Sequence, residues 1–463
     1  MTPAVRTVLA SFVLCCALAP ALAPAAANAP VAEHVLANGM RVLVKSDHRA
    51  PVVVSMVWYK VGSMDEVTGV TGVAHVLEHM MFKGTKAVPA GEYSRTIAEA
   101  GGRDNAFTSR DATAYHQTLH KSQLALALKL EADRMSNLVL SADEFSKEIR
   151  VVMEERRWRT DDRPRALVFE QLAAAAFKAH PYRHPVIGWM NDLENMRVED
   201  ARAFYERWYA PNNATLVVVG DVTPGEVVKL AEQYFGRIPR KALPARKTLA
   251  EPPQLGPQQL TVRAPAELPY VLMAYRAPAL RDPDKEWEPY ALEMLANVLD
   301  GNEAARLNRN LVRTARIASS ADASYDSIGR GPGMFYLSAT PTPGKTMQEV
   351  EQALRAEIAK IVAEGVTEEE LQRVKAQAIA GHVYERDSMS YQARQMGSLE
   401  IAGLPQRMVD LFIEKLKAVT GEQVQAVAKK YFVDDALTVA YLDPQPVGAK
   451  KPAFPPAGLR HGQ

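Results

Sequence analysis

The sequence predicts an α+β protein built as two homologous halves, and three features carry that expectation. Short apolar or alternating runs of strand period are interleaved with longer stretches of helical period. A helix-then-strand signal that closes the first half returns at the end of the second. A proline-rich stretch without periodicity lies between them. At 463 residues the chain exceeds what one hydrophobic core holds, so several domains are expected.

Arg6 followed by an apolar run over residues 7–19 and an alanine-rich stretch has the form of a secretory signal peptide, assigned to 1–27. Cleavage after Ala27 satisfies the small-x-small rule, whereas cleavage after Ala29 places Pro30 at a disfavoured position. The run is also too short for a membrane span. Both cysteines, Cys15 and Cys16, fall inside this segment, so the mature chain is expected to hold no disulfide and no thiol nucleophile. A periplasmic or secreted location follows as the expectation, with no membrane span. The 55 basic and 54 acidic residues nearly cancel, which argues against a nucleic-acid partner.

The first half is assigned to 34–239. Asn38-Gly39, then Met40, Val42 and Val44 in alternation, then the run Val52 to Tyr59 predict two strands joined by a turn. A helix is predicted over 72–82, capped by Thr71 and ended by Gly84. Residues 105–119 read as strands, and 122–138 and 143–159 as amphipathic helices. The helix 198–209 and the apolar strand Ala214 to Val219, ending at Gly220-Asp221, complete this half.

Residues 240–258, with Pro244, Pro252, Pro253 and Pro257, are assigned as a linker, and 259–445 as the second half. Leu193 to Tyr209 can be laid without gaps on Leu416 to Phe432. Ala214 to Val219 then falls on Ala436 to Tyr441, which predicts duplication of the whole chain. The proline-rich tail 446–463 is expected to lack fixed structure.

The chemistry is concentrated in His75-Val76-Leu77-Glu78-His79. On a helix, positions four apart share a face, so His75 and His79 can grip one zinc ion with Glu78 beside them. The rest of the helix is Val73, Ala74, Val76, Leu77, Met80 and Met81, which predicts burial nearly all round. Two imidazoles and a carboxylate buried there need partners, and a metal supplies one. Other histidine pairs lack this context. His116 and His120 read as strand residues, where a spacing of four separates them by about 13 Å. His180 and His184 flank Pro181 in a loop. His34, His48, His382 and His461 are isolated. A catalytic zinc usually takes three protein ligands. The helix 143–159 offers Glu148, Glu154 and Glu155. Glu148 and Glu155, two turns apart, share a stripe with Val151 and Val152, while Glu154 points about 100° away. Periodicity favours Glu155 without deciding the matter.

These segments together resemble the pitrilysin family, the inverted zinc peptidases that include insulin-degrading enzyme and the mitochondrial processing peptidase. The resemblance covers nearly the whole mature chain. It rests on His75-x-x-Glu78-His79, on Glu148 to Glu155, and on Asn105-Ala106-Phe107-Thr108 with Asp111, Thr113 and Tyr115. His180-Pro181-Tyr182 with Gly188, and the segment ending at Gly220-Asp221, follow in family order. It implies two related αβ domains in each half, with mixed sheets flanked by helices, enclosing a chamber. It implies Glu155 as third ligand of one Zn2+ per chain, Glu78 as catalytic base and Glu148 as a second glutamate assisting catalysis. It also implies Asn105, Ala106 and Phe107 as the edge strand on which a peptide substrate is laid.

One departure from the family pattern points to a partner. In the second half an arginine and a tyrosine seven residues apart normally reach across to the substrate. The matching segment here, Arg306 to Ser319, places Val312 and Ser319 at those positions. A one-residue shift gives Arg313 but still Ser320 in place of the tyrosine. The expectation is the zinc-bearing subunit of a heterodimer, with a homologous second chain supplying the pair. A homodimer or self-sufficient monomer, with Tyr325 as a substitute, and a non-catalytic scaffold subunit of the same fold are the alternatives.

Overall fold

The computed structural model describes residues 30–448, so the signal segment 1–27 and all of the tail beyond residue 448 lie outside the described residues. Strands β1 (Ala32–Val35), β2 (Arg41–Ser46), β3 (Val52–Tyr59), β4 (Arg103–Thr108), β5 (Thr113–His120) and β6 (Ala214–Gly220) form one sheet in the order β1-β2-β6-β3-β5-β4. Strands β7 (Gln258–Pro265), β8 (Tyr270–Ala277), β9 (Ala318–Tyr325), β10 (Gly333–Pro341) and β11 (Leu437–Gln445) form a second, in the order β7-β11-β8-β10-β9. Both are mixed sheets: β2 runs parallel to β6 and β7 parallel to β11, and the remaining neighbours are antiparallel.

In chain order the helices are α1 (Val73–Met80), α2 (Glu92–Glu99), α3 (Leu124–Asn137), α4 (Ala142–Arg156), α5 (Pro164–Ala176), α6 (Met190–Asn195) and α7 (Val198–Trp208). They continue with α8 (Pro224–Tyr234), α9 (Glu288–Asp300), α10 (Met347–Glu364), α11 (Glu368–Glu385), α12 (Met389–Ala402), α13 (Met408–Ala418) and α14 (Gly421–Tyr431).

Apart from β1, the two strand orders correspond one to one, and the parallel pair occupies the same place in each. The recurrence read from the sequence is present, with the strand displaced by one residue: α7 leads into β6, and α14 into β11, each through a single 3-10 turn, so that Ala214 matches Leu437 and not Ala436. The number of domains in each half differs from the expectation. Each half carries one sheet among the described residues, not two related domains. The reason is that β6, the last strand of its half, inserts between β2 and β3 and so joins early and late segments into one sheet; β11 does the same between β7 and β8.

Each sheet is covered on its second face by a helix from the other half. Against the first sheet, α12 sets Ala393, Met396 and Ile401 on Val54, Met56, Trp58, Val217 and Val219. Against the second, α5 sets Val168, Leu172 and Ala176 on Leu272, Ala274, Met334 and Ala440. Burial of the larger of these side chains, Met396, Ile401, Val168 and Leu172, contributes roughly 1.5–3 kcal/mol each, so this exchange welds the halves. It also explains why β6 reads as a continuous apolar run: all seven residues are buried, with helices on both sides. The approach of α12 is close enough that a Cβ on Gly397 would lie 2.0 Å from the Trp58 ring.

Candidate metal centre and cleft

Helix α1 is shorter than predicted and is capped differently. It spans Val73–Met80, with Gly72 at its N-cap in the left-handed region at φ 88°. The Thr71 hydroxyl, expected as the cap, donates instead to Asp192 at 2.6 Å. The free N–H groups of the first turn are met by Glu66, which accepts from Gly72 N at 2.8 Å and Ala74 N at 2.9 Å. Gly72 and Gly188 also touch: a Cβ on Gly72 would lie 2.6 Å from Ile187 O, and one on Gly188 2.4 Å from Thr71 O. That contact gives Gly188 of the sequence motif a physical role.

All eight residues of α1 are buried. One helical turn separates His75 from His79, and their rings stand 4.8 Å apart at 75°. Helix α4 brings Glu155 to both: its Oε2 lies 3.3 Å from His79 Nε2 and 3.6 Å from His75 Nε2. A tetrahedral zinc with ligand distances of about 2.0–2.1 Å separates its donors by about 3.4 Å, so these spacings fit a single ion. His75, His79 and Glu155 form the one metal-capable group of three among the described residues. Glu155 is fully buried, and its Oε2 is turned towards the two imidazoles. Its other oxygen, Oε1, faces Arg159 Nη1 at 3.0 Å. Burial opposes the charge on Glu155, but His79, His75 and Arg159 hold its pKa down to about 2. An ionised, buried oxygen aimed at two imidazoles is the donor set a divalent cation requires.

Glu148 stands behind His79, with Oε2 3.3 Å from Nδ1, and its other oxygen is paired with Lys83. This contact orients the ring so that Nε2 faces Glu155. Glu154 lies on the solvent side of α4, 55% exposed and paired with Arg157. The structure therefore separates the three glutamates that periodicity left open. Beyond α4 the chain makes a π-helical turn, Arg157–Asp161, from which Arg159 reaches back to Glu155.

Glu78 is 1% exposed and accepts a hydrogen bond from the Thr108 hydroxyl at the end of β4. Burial pushes its pKa up to about 7. Thr108 was legible only as a motif letter; its hold on Glu78 depends on β4 lying against α1, which no local pattern reports. Asn105, Ala106 and Phe107 lie on β4, and β4 is the outermost strand of its sheet. His75, Glu78, Asn105 and Phe107 line one cavity of about 480 Å³, bounded opposite by α5 and at one side by Arg394 of α12. His116 and His184 also face this cavity, while His180 is buried and accepts from Tyr182 N through its ring.

The second-half segment that departs from the family pattern lies elsewhere. None of Arg306, Val312, Arg313, Ser319 or Ser320 lines the cavity. Arg306 pairs with Glu370, Arg313 with Glu303, and Ser319 and Ser320 bond to Thr340. Tyr325 is 8% exposed and its hydroxyl donates to Pro278 O, so it is no substitute here.

Two imidazoles one turn apart, a carboxylate from a second helix and a glutamate between them on a cleft wall define the class of metal-dependent peptidases of H-x-x-E-H order. The chain belongs to one family of that class, the insulinases, peptidase family M16. The family model described as insulinase (peptidase family M16) matches residues 41–188, and that described as peptidase M16 inactive domain matches residues 195–378. The zinc protease PqqE of Helicobacter pylori is 32% identical over 414 residues, 88% of this chain and 92% of that protein. An uncharacterized zinc protease of Mycobacterium leprae is 32% identical over 412 residues, 87% of this chain and 90% of that one. The crystal structure of a protease from Helicobacter pylori has a TM-score of 0.85 at 31% identity, covering 90% of this chain and all of that one. The periplasmic protease PqqL from Escherichia coli, with a TM-score of 0.77 at 21% identity, shows the same fold; it matches 90% of this chain and 48% of its own.

Proposed function

We propose that this protein is a zinc-dependent endopeptidase acting on peptides or unfolded segments. The observation that carries the reading is Glu155 Oε2 lying 3.3 and 3.6 Å from the two imidazole nitrogens, with Glu78 on the adjoining cleft wall. His75, His79 and Glu155 would hold one zinc per chain. Zinc bound there supplies a Lewis acid that polarises the scissile carbonyl and makes water acidic enough to attack near neutral pH.

The remaining work falls to the chain. Glu78, on the cleft wall beside the metal ligands, takes the proton of the attacking water and passes it to the departing amine. Thr108 holds the carboxylate in place, and Glu148 holds His79. The outer edge of β4 at Asn105, Ala106 and Phe107 accepts the substrate as an added strand, so that backbone hydrogen bonds supply affinity for extended peptides. Glu78→Gln is expected to keep the metal and lose turnover; a variant that hydrolyses peptide at the normal rate would remove Glu78 from the mechanism.

The same reading makes this chain the zinc-bearing subunit of a heterodimer that encloses a chamber and works in the periplasm or outside the cell. What supports a second chain is that the segment 306–320, where the family keeps its arginine and tyrosine, stays away from the cleft. The Escherichia coli chain of this fold is about twice as long, and its first half alone is 93% covered by the present chain. No helix among the described residues is long and apolar enough to cross a membrane. Purification from the native host, with peptide cleavage assayed before and after removal of any companion chain, tests this. Full activity of the isolated chain would contradict it.

A further inference from the structure

The charges around the cleft are lopsided. Arg110, Arg159, Arg183 and Arg394 line it, against two carboxylates, Glu78 and Glu170. Glu170 is neutralised by Arg156, which donates to its two oxygens at 2.8 and 3.0 Å. Arg159 is matched by Glu155. Arg110 sits over the Tyr182 ring at 5.1 Å, and Asp326 feels its charge. Arg183 gives Nη1 to the Lys178 carbonyl. Arg394 has no carboxylate within ion-pair distance among the described residues; its guanidinium lies 4.7 Å from the centre of the Phe107 ring. Charge in a cleft walled by protein is screened less than on an open surface, so this excess cation reaches whatever is bound there.

The position of Arg394 gives that field a reading function. It projects from α12, which is fixed by the packing of Ala393 and Met396 against the first sheet. Its guanidinium covers Phe107, one of the β4 residues to which a peptide strand would be added. Along β4, Ala106 packs in the core beside α1 and Thr108 reaches Glu78, so Phe107 faces the opposite side of the sheet. A peptide paired with β4 alternates in the same way, and its side chains on that side come next to the guanidinium. The charge also acts on the protein: His116 on β5 has a pKa lowered to about 4, first by burial and then by Arg394. Planar and weakly hydrated, a guanidinium held on an aromatic face is suited to a carboxylate and repels a lysine.

We propose that the cleft selects acidic peptides, with Arg394 as the residue that reads glutamate or aspartate side chains beside the scissile bond. This rests on the peptidase reading for the chemistry and on the charge distribution for the preference, and the two are tested separately. Binding is measured by fluorescence anisotropy on the full chain carrying Glu78→Gln, with any companion chain present. The probes are dye-labelled extended peptides that differ only in carrying glutamate, glutamine or lysine at the central positions. Cleavage of the same peptides is measured on the wild type.

The glutamate peptide is expected to bind about tenfold or more tightly than the glutamine peptide, and the lysine peptide more weakly still. The preference should shrink with rising salt. Adding Arg394→Gln should remove most of it, Arg394→Lys should restore part, and Lys285→Gln, on an exposed residue that does not line the cleft, should leave it intact. Equal binding of the three peptides, or a preference for lysine, overturns the proposal, as does a preference that survives Arg394→Gln in a variant with normal unfolding. Acid preference without cleavage by the wild type would sink the peptidase reading and leave the selectivity standing. Cleavage indifferent to charge would do the reverse.

Discussion

Arg330 donates from Nη1 and Nη2 to the two oxygens of Asp65 at 2.7 and 3.0 Å, tying the β9–β10 loop to the turn that precedes α1. Its backbone N–H donates to Asp111 at 2.9 Å, and Gly331 N donates to the Tyr182 hydroxyl at 2.8 Å. Tyr182 in turn donates to Asp111. This network joins the halves beside the cleft and accounts for Asp111 and Tyr182 in the sequence motifs.

Removing the guanidinium leaves Asp65, whose side chain is 5% exposed, with Arg246 as its remaining ion pair. Arg330→Ala is therefore expected to destabilise the protein by roughly 3 kcal/mol, within the range for breaking a buried pair. Urea unfolding of the two proteins checks this. A change below about 0.5 kcal/mol, as for an ordinary surface substitution, would contradict the structural role given to the pair.

The close approach of α12 to the first sheet makes a second prediction. A methyl group at Gly397 would meet the Trp58 ring at 2.0–2.5 Å, so helix and sheet must part. Gly397→Ala should cost about 1–3 kcal/mol and shift Trp58 fluorescence. Gly403→Ala differs: a Cβ there has nothing within 4 Å, and its cost comes only from the positive φ of 77°.

Glu148 and Glu154 separate orientation from mere proximity. Glu148→Gln weakens the hold on His79 and is expected to lower zinc affinity about 10- to 100-fold. Glu154→Gln, on the solvent side, is expected to leave it unchanged. Competition with a chromophoric chelator gives both numbers, and equal effects of the two substitutions would contradict the geometry.

Glu293 on α9 gives a pH dependence. Burial, aided by the charge of Asp326, pushes its pKa up to about 7 from the usual 4.5. The folded state thus holds this proton more tightly than the unfolded chain. Its contribution is most favourable below about pH 4.5 and is lost as pH rises through about 7. Glu293→Gln should accordingly stabilise the protein relative to wild type at pH values above about 7 and have little effect below about 4.5. Denaturant titrations at the two ends of that window test the sign.

Much of this was legible before the fold. His75, Glu78 and His79 are one turn of one helix, where spacing alone fixes a shared face. The duplication was legible because helix and strand recur in the same order, α7 with β6 and α14 with β11. What local patterns could not give was anything set by long-range pairing. The insertion of β6 between β2 and β3 makes one sheet per half, and the exchange of α5 and α12 covers each sheet from the other half. The cap of α1 comes from Glu66, eight residues before Ala74, not from the adjacent Thr71. Periodicity placed Glu148 and Glu155 on one stripe but could not say which met both imidazoles; only the packing of α1 on α4 does so. Arg394 carried no signal at all, since its place over Phe107 depends on both halves.

His75, His79 and Glu155 are placed to converge on one metal ion. X-ray absorption at the zinc edge on the purified protein tests it most directly. About one zinc per chain is expected, in a shell of two imidazole nitrogens plus oxygen that is lost or remodelled in Glu155→Ala and kept in Glu154→Ala. An unchanged zinc shell in a folded Glu155→Ala variant would contradict it.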